Sequence, residues 1–148
     1  MKITEKYENL FDTLVPGDIL AHGANCKGIM GGGVAKPIKD MFPANYRVYN
    51  MECRKDRFKP GDILPFREKG YVIYNCGTQY ELGADAKIEN VRVSVRAMVA
   101  HAEAYKVGTK IKTFRLGCGI GGLDWAKVKP VLERIKSDVE LEVYYIER

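Results

Sequence analysis

The chain has 148 residues, 46% hydrophobic and 29% charged, with a formal net charge of +5, which fits one soluble domain able to bury a core without staples. No stretch approaches the roughly 18 consecutive apolar residues of a membrane span, and the charged start Met1–Glu8 lacks an apolar signal core, so a cytoplasmic monomer with no membrane partner is expected. Cys26, Cys53, Cys76 and Cys118 are scattered without a C-x-x-C pair and only His22 and His101 accompany them, which excludes zinc-site spacing and argues against a disulfide framework.

In chain order, a short strand is expected near Ile3 and a second at Ile19–His22. A helix then starts at a glycine loop and spans Gly33–Met41, with Pro37 tolerable only in its first turn. Pro43 opens a second helix to about Arg54. The densest basic run, Arg54-Lys55-Asp56-Arg57-Phe58-Lys59, reads first as a solvated helix end, with a phosphate-backbone footprint as the alternative. Strands follow at Ile63–Arg67 and Tyr71–Asn75, joined by a tight turn at Glu68-Lys69-Gly70, so part of the sheet is antiparallel. Lys87–Tyr105 is the clearest helix, with Ile88, Val91, Val95, Met98, Val99 and Ala102 on one face. His101 falls near its polar side and reads as solvent-exposed. A strand at Thr113–Leu116, a helix opening at the N-cap Asp124 and a strand at Leu141–Ile146 complete the chain. Alternating helices and strands predict an α/β fold of three layers, with a mixed, mostly parallel central sheet covered on both faces.

Two glycine-rich loops carry the functional signal. Gly28-Ile29-Met30-Gly31-Gly32-Gly33 follows the strand ending in His22-Gly23-Ala24-Asn25, and Gly117-Cys118-Gly119-Ile120-Gly121-Gly122 follows the strand ending at Leu116. Glycine lets backbone N–H groups approach an anion, and each following helix adds the positive end of its dipole. Both loops belong at strand C-terminal ends, where α/β sheets bind ligands, so together they predict a cleft holding a diphosphate from two sides. Cys26 and Cys118, beside these loops, read as small residues near a ligand rather than nucleophiles.

The run Pro16-Gly17-Asp18-Ile19-Leu20-Ala21-His22-Gly23-Ala24-Asn25-Cys26, with Met30-Gly31-Gly32-Gly33-Val34-Ala35 and Leu116–Trp125, resembles the macrodomain family of ADP-ribose-binding modules. The resemblance covers residues 1–148 as one domain, and its Gly-Leu-x-Trp form is closest to a branch containing ADP-ribose 1''-phosphate phosphatases and deacylating hydrolases. It implies that Asp18, beside Ile19, accepts a hydrogen bond from the adenine amino group, and that Asn25 binds the distal ribose. It further implies that Gly31, Gly32, Gly33 and Val34 contact the distal ribose and its phosphate. Gly117, Cys118, Gly119, Ile120, Gly121 and Gly122 would wrap the diphosphate. Trp125 reads as a helix-start anchor rather than a stacking platform.

The resemblance also implies a lysine and an aspartate for the deacylating mechanism. Here those places fall near Thr78 and at Gly121, which puts that mechanism in doubt. The phosphatase reading has two candidates for proton handling or water positioning: His22, toward the distal ribose, and Asp85, in the loop before the long helix. Helix capping is the competing role for Asp85. The expected reaction converts ADP-ribose 1''-phosphate to ADP-ribose and phosphate without a metal or other cofactor. A non-catalytic ADP-ribose reader and a glycohydrolase acting on ADP-ribosylated protein or nucleic acid are the rival readings. A pure nucleic-acid-binding module ranks last, because the nine tyrosines form no stripe with the basic residues.

Overall fold

The computed structural model describes residues 1–146. Its elements are β1 (Ile3–Lys6), α1 (Leu10–Thr13), β2 (Ile19–Ala24), α2 (Ala35–Met41), α3 (Pro43–Arg54), β3 (Ile63–Glu68), β4 (Tyr71–Gly77), α4 (Ile88–Ala104), β5 (Lys110–Phe114), α5 (Trp125–Glu133) and β6 (Glu140–Tyr144). The strands form one sheet in the order β1-β6-β5-β2-β4-β3. Every neighbouring pair is parallel except β3 with β4. Lys69 and Gly70 both take positive φ at the β3–β4 turn, the geometry that matches the twist of a two-residue hairpin.

Alternate residues of β2 enter different cores, which is the signature of a sheet covered on both faces. Ile19 and Ala21 join Val91, Val95 and Met98 of α4 and Val128 and Leu132 of α5. Leu20 joins Leu10, Ile38 and Phe42 on the other side. Each such side chain, fully buried, supplies about 1.5–3 kcal/mol of transfer free energy. A third cluster, Ala24, Cys26, Met30, Tyr49 and Phe58, packs α3 beneath the first glycine loop.

The boundary differences have local causes. α2 begins two residues after the expected Gly33, whose φ of +56° is incompatible with a right-handed helix. β5 is shifted toward the N-terminus of its expected range because the chain already turns at Arg115, whose carbonyl accepts from Cys118 N–H at 3.0 Å. β6 ends at Tyr144 rather than Ile146. The single-turn α1 was not foreseen; Asn9 caps it, its Oδ1 accepting from Phe11 N–H at 3.0 Å. Asp124 caps α5 as expected, accepting from Ala126 N–H at 3.0 Å.

Candidate ligand cleft

A trough of about 720 Å³ opens along the C-terminal ends of the central strands. Gly23, Ala24 and Asn25 line it from the end of β2, Gly31–Val34 from the first glycine loop, and Gly117–Gly121 from the second. A second hollow of about 470 Å³ continues from it, sharing Gly33, Val34, Phe114, Tyr144 and Tyr145 and adding Asn9, Phe11 and Pro37. The whole is long and angled, polar at one end and aromatic at the other.

The loops face each other closely. A Cβ placed on Gly32 or Gly33 would lie 3.2 Å from Ile120 Cδ1, so Ile120 bridges the trough and side chains are excluded beneath it. Among the described residues, no hydrogen bond uses the N–H groups of Gly119, Ile120 or Gly121, whereas those of Cys118, Gly122 and Leu123 are consumed inside the loop. The N–H groups of Gly32, Gly33 and Val34 are likewise unpaired. Two rows of unsatisfied donors on loops that line one trough are suited to an anion. Gly121 has a further constraint: a Cβ there would meet Gly117 O at 2.6 Å and Gln79 Oε1 at 2.9 Å. An aspartate at this position has no room.

Asn25 is held rigidly. Its Oδ1 accepts from Lys27 N–H and Tyr49 O–H, both at 2.9 Å, and its Nδ2 donates to Ile29 O at 2.8 Å. One Nδ2 hydrogen remains for a ligand. Gln79, which no motif in the sequence marks, lies 8% exposed in the trough floor. Both hydrogens of its Nδ2-equivalent amide nitrogen, Nε2, are spent at 2.7 Å on Glu81 O and Gly83 O. The Oε1 is thereby fixed as an acceptor beside Gly121. Thr78, also in the lining, stands next to it.

Arg115 stands in the trough wall where the two hollows meet. Its guanidinium stacks 3.8 Å from the Tyr145 ring centre and lies 3.6 Å from Glu5. Glu5 also takes bonds from Lys129 Nζ at 2.8 Å and Trp125 Nε1 at 3.0 Å. The Lys129 bond, with help from Trp125 and Arg115, holds the Glu5 carboxyl below its ordinary pKa. Trp125 is therefore an anchor, as its position suggested.

Several expected site residues lie elsewhere. Asp18 and Ile19 sit at the N-terminal end of β2, about 20 Å of strand from Asn25 at roughly 3.3 Å per residue. Asp18 Oδ2 accepts from Lys112 Nζ at 2.8 Å and Val15 N–H at 3.0 Å, and Ile19 is core. Neither lines either hollow. The polar side chains at the aromatic end are instead those of Glu8 and Asn9, beside Tyr144 and Tyr145. The role of Asn9 as a helix cap before Leu10-Phe11 was the only sequence signal available.

His22 does not reach the trough. It is fully buried, and its Nε2 donates to Asn75 Oδ1 at 2.7 Å. That oxygen also accepts from Asn45 Nδ2 at 3.2 Å, while Asn75 Nδ2 donates to Asn45 Oδ1 at 2.8 Å. Because Asn75 Oδ1 can only accept, the histidine carries its proton on Nε2; Nδ1 has no partner among the described residues. Burial lowers its pKa below the ordinary imidazole value, so the ring is neutral and structural. Asp85 is likewise turned into its own loop, its Oδ2 accepting from Glu81 N–H at 2.9 Å and Tyr80 N–H at 3.2 Å. The Glu81 bond leads the causes that lower its pKa. It shapes the loop and does not line the trough.

Burial raises the Cys118 thiol to about 11 and the Cys26 thiol to about 12, so neither is a ready nucleophile. His101 is half-buried rather than exposed, with Tyr74 Oη 2.8 Å from its Nδ1.

Residues 21–132 match the family model described as Macro domain, and the chain belongs to that family. It is 43% identical to an ADP-ribose 1''-phosphate phosphatase from Aspergillus oryzae, over 92% of this chain and 90% of the relative. It is 30% identical to a DNA ADP-ribosyl glycohydrolase from Thermus aquaticus over 89% of this chain, but spans only 38% of that relative's length. Among solved structures, the macrodomain of Thermus aquaticus DarG superposes with a TM-score of 0.83 at 28% identity, covering 96% of this chain and 97% of that one.

Proposed function

We propose that this chain binds ADP-ribose along the trough and hydrolyses the bond to a phosphate at the 1'' carbon of the distal ribose, releasing ADP-ribose and phosphate. The observation that carries the reading is the pair of opposed, unpaired N–H rows at Gly32–Val34 and Gly119–Gly121, suited to a diphosphate. The nucleobase then occupies the hollow lined by Asn9, Phe11, Phe114 and Tyr144, and Arg115 neutralises charge between base and diphosphate. The distal ribose meets the free hydrogen of Asn25. The Aspergillus relative, similar over nearly its whole length, supports the phosphatase reading.

At the distal end, Gln79 Oε1 accepts a hydrogen bond from the attacking water and orients it; an amide cannot take the proton, which passes to an oxygen of the phosphate itself. Phosphorus gains the water oxygen as the bond to the ribosyl oxygen breaks, and the proton held on the phosphate oxygen moves on to that ribosyl oxygen, giving ADP-ribose with a free 1'' hydroxyl and inorganic phosphate. The neighbouring unpaired N–H groups stabilise the charge that develops. A second reading, a glycohydrolase cutting a macromolecule from the same 1'' carbon, is favoured by the Thermus relative and uses the same cleft.

The test is calorimetry with ADP-ribose alongside phosphate release from ADP-ribose 1''-phosphate. Binding with release supports the phosphatase. Binding without release moves the activity to another 1'' bond, and no binding overturns the ADP-ribose assignment.

A further inference from the structure

Among the described residues, Arg115 is the one cationic residue in the lining of the two hollows, where the other charged residues are Asp124 and Glu8. The chain itself sets its place. Phe114, at the end of β5, lines both hollows, and Gly117, two residues beyond Arg115, begins the second glycine loop. Within that short span the wall passes from the aromatic hollow to the open N–H row. With a base in the first and a diphosphate along the second, the group beside Arg115 is the ribose that joins them.

The guanidinium is held in place without its donors being spent. It stacks 3.8 Å from the Tyr145 ring centre, and a stack engages the face of the group while every N–H bond stays in the plane. Glu5 Oε1 is 3.6 Å from its Nη2, an ion pair too long for a hydrogen bond. That carboxylate is bonded elsewhere, Oε1 accepting from Trp125 Nε1 at 3.0 Å and Oε2 from Lys129 Nζ at 2.8 Å. Arg115 and Lys129 share one acid, so the cluster keeps a positive charge. The Arg115 Nε–H is buried with no partner among the described residues, an exception that a bound group would account for. A fixed fork of donors on a surplus positive charge matches the oxygens of a phosphate. The diphosphate already has the N–H groups of Gly32–Val34 and Gly119–Gly121.

We propose that Arg115 receives a phosphate monoester on the ribose next to the base, so that the cleft prefers ADP-ribose phosphorylated at the 2' or 3' hydroxyl of that ribose over ADP-ribose itself. The inference rests on the ADP-ribose reading of the cleft. It adds a specificity at the far end of the ligand from the 1'' carbon and holds whichever bond is cut there. A ribose hydroxyl offers the guanidinium a single neutral acceptor, whereas a monoester offers three oxygens and close to two negative charges at neutral pH.

The test is calorimetry of ADP-ribose, its 2'-phosphate and its 3'-phosphate with the wild type, Arg115→Gln and Arg115→Lys. The wild type should bind one phosphorylated form at least about tenfold tighter than ADP-ribose, the scale of one charge-assisted hydrogen bond. The preferred isomer identifies the hydroxyl that faces the arginine. Arg115→Gln should bring the ratio of the two affinities to within about twofold, whatever it does to ADP-ribose affinity itself. Arg115→Lys, a charge without a fork, should keep only part of the ratio. Acidification from about pH 7.5 to about pH 5.5 should shrink it in the wild type, because the monoester loses its second charge near pH 6. ADP-ribose binding with neither phosphorylated form tighter overturns the proposal and leaves the cleft standing. A preference that survives unchanged in Arg115→Gln overturns the assignment to this residue. Binding of none of the three nucleotides overturns the ADP-ribose reading, and this inference with it.

Discussion

The two ends of β2 carry opposite kinds of chemistry. At the N-terminal end Asp18 is closed off, bonded to Lys112 and the Val15 N–H. At the C-terminal end Asn25 keeps one hydrogen free, and the N–H groups of Gly32–Val34 and Gly119–Gly121 in the glycine loops above it have no partner among the described residues. Satisfied polar groups hold a fold together; unsatisfied ones facing a trough wait for a ligand. The difference separates engaged from available groups more sharply than residue type does, since the aspartate is satisfied and the glycine N–H groups are open.

The contrast can be broken most forcefully at Gly121. Replacing it with valine sets a Cβ 2.6 Å from Gly117 O, so the loop must move. Calorimetry should show ADP-ribose affinity reduced at least about 100-fold, the scale of several lost charge-assisted bonds, with the circular dichroism spectrum retained. Retained affinity would remove this loop from the site.

Asn25→Ala comes next. It strips partners from Lys27 N–H, Tyr49 O–H and Ile29 O together with the ribose donor. About tenfold weaker binding is expected, with a stability loss of about 1–3 kcal/mol from the orphaned groups, read by urea titration.

His22 sharpens the division between support and site. Its folded-state pKa is lowered by burial, so the unfolded chain binds more protons in the window between the two pKa values. Its contribution to stability is complete above the unfolded value, about 6.5, and is lost as pH falls toward the folded one. The melting temperature should therefore drop below that pH, less steeply in His22→Gln. Turnover in His22→Gln should stay within about threefold, whereas loss of a general acid or base costs about 100-fold or more; a loss of that size would restore the histidine to catalysis.

The smallest effect on binding belongs to Asp18→Asn. ADP-ribose affinity should change by less than about twofold, while the half-buried Lys112 loses its counter-ion at a stability cost of about 1 kcal/mol. A tenfold loss of affinity would return Asp18 to the base-recognition role that the family resemblance implied.

The fold was largely legible because it depends on local patterns. The helical stripe Ile88–Ala102, the first-turn Pro43, the cap Asp124 and the positive-φ turn at Lys69-Gly70 each act within a few residues. The single turn at Leu10–Thr13 escaped because four residues show no period; its only marker was Asn9. Both glycine loops were legible too, since glycine's permissive backbone is written in its identity. Gln79 was not. Its value arises from Glu81 O and Gly83 O consuming its donors, and from Gly121 leaving space beside Oε1.

The sequence by itself determined the class of fold, the end of the sheet where the two glycine loops stand and the backbone donors left open there. Periodicity, turn chemistry and the absence of side chains are properties of the chain taken a few residues at a time. Only the tertiary structure decided which polar side chains take part. His22, Asp18 and Asp85 have the chemistry a site requires, but Asn75, Lys112 and the backbone of Glu81 occupy them first. A side chain's availability depends on which partners the packed elements bring to it, and those partners lie up to 94 residues away in sequence.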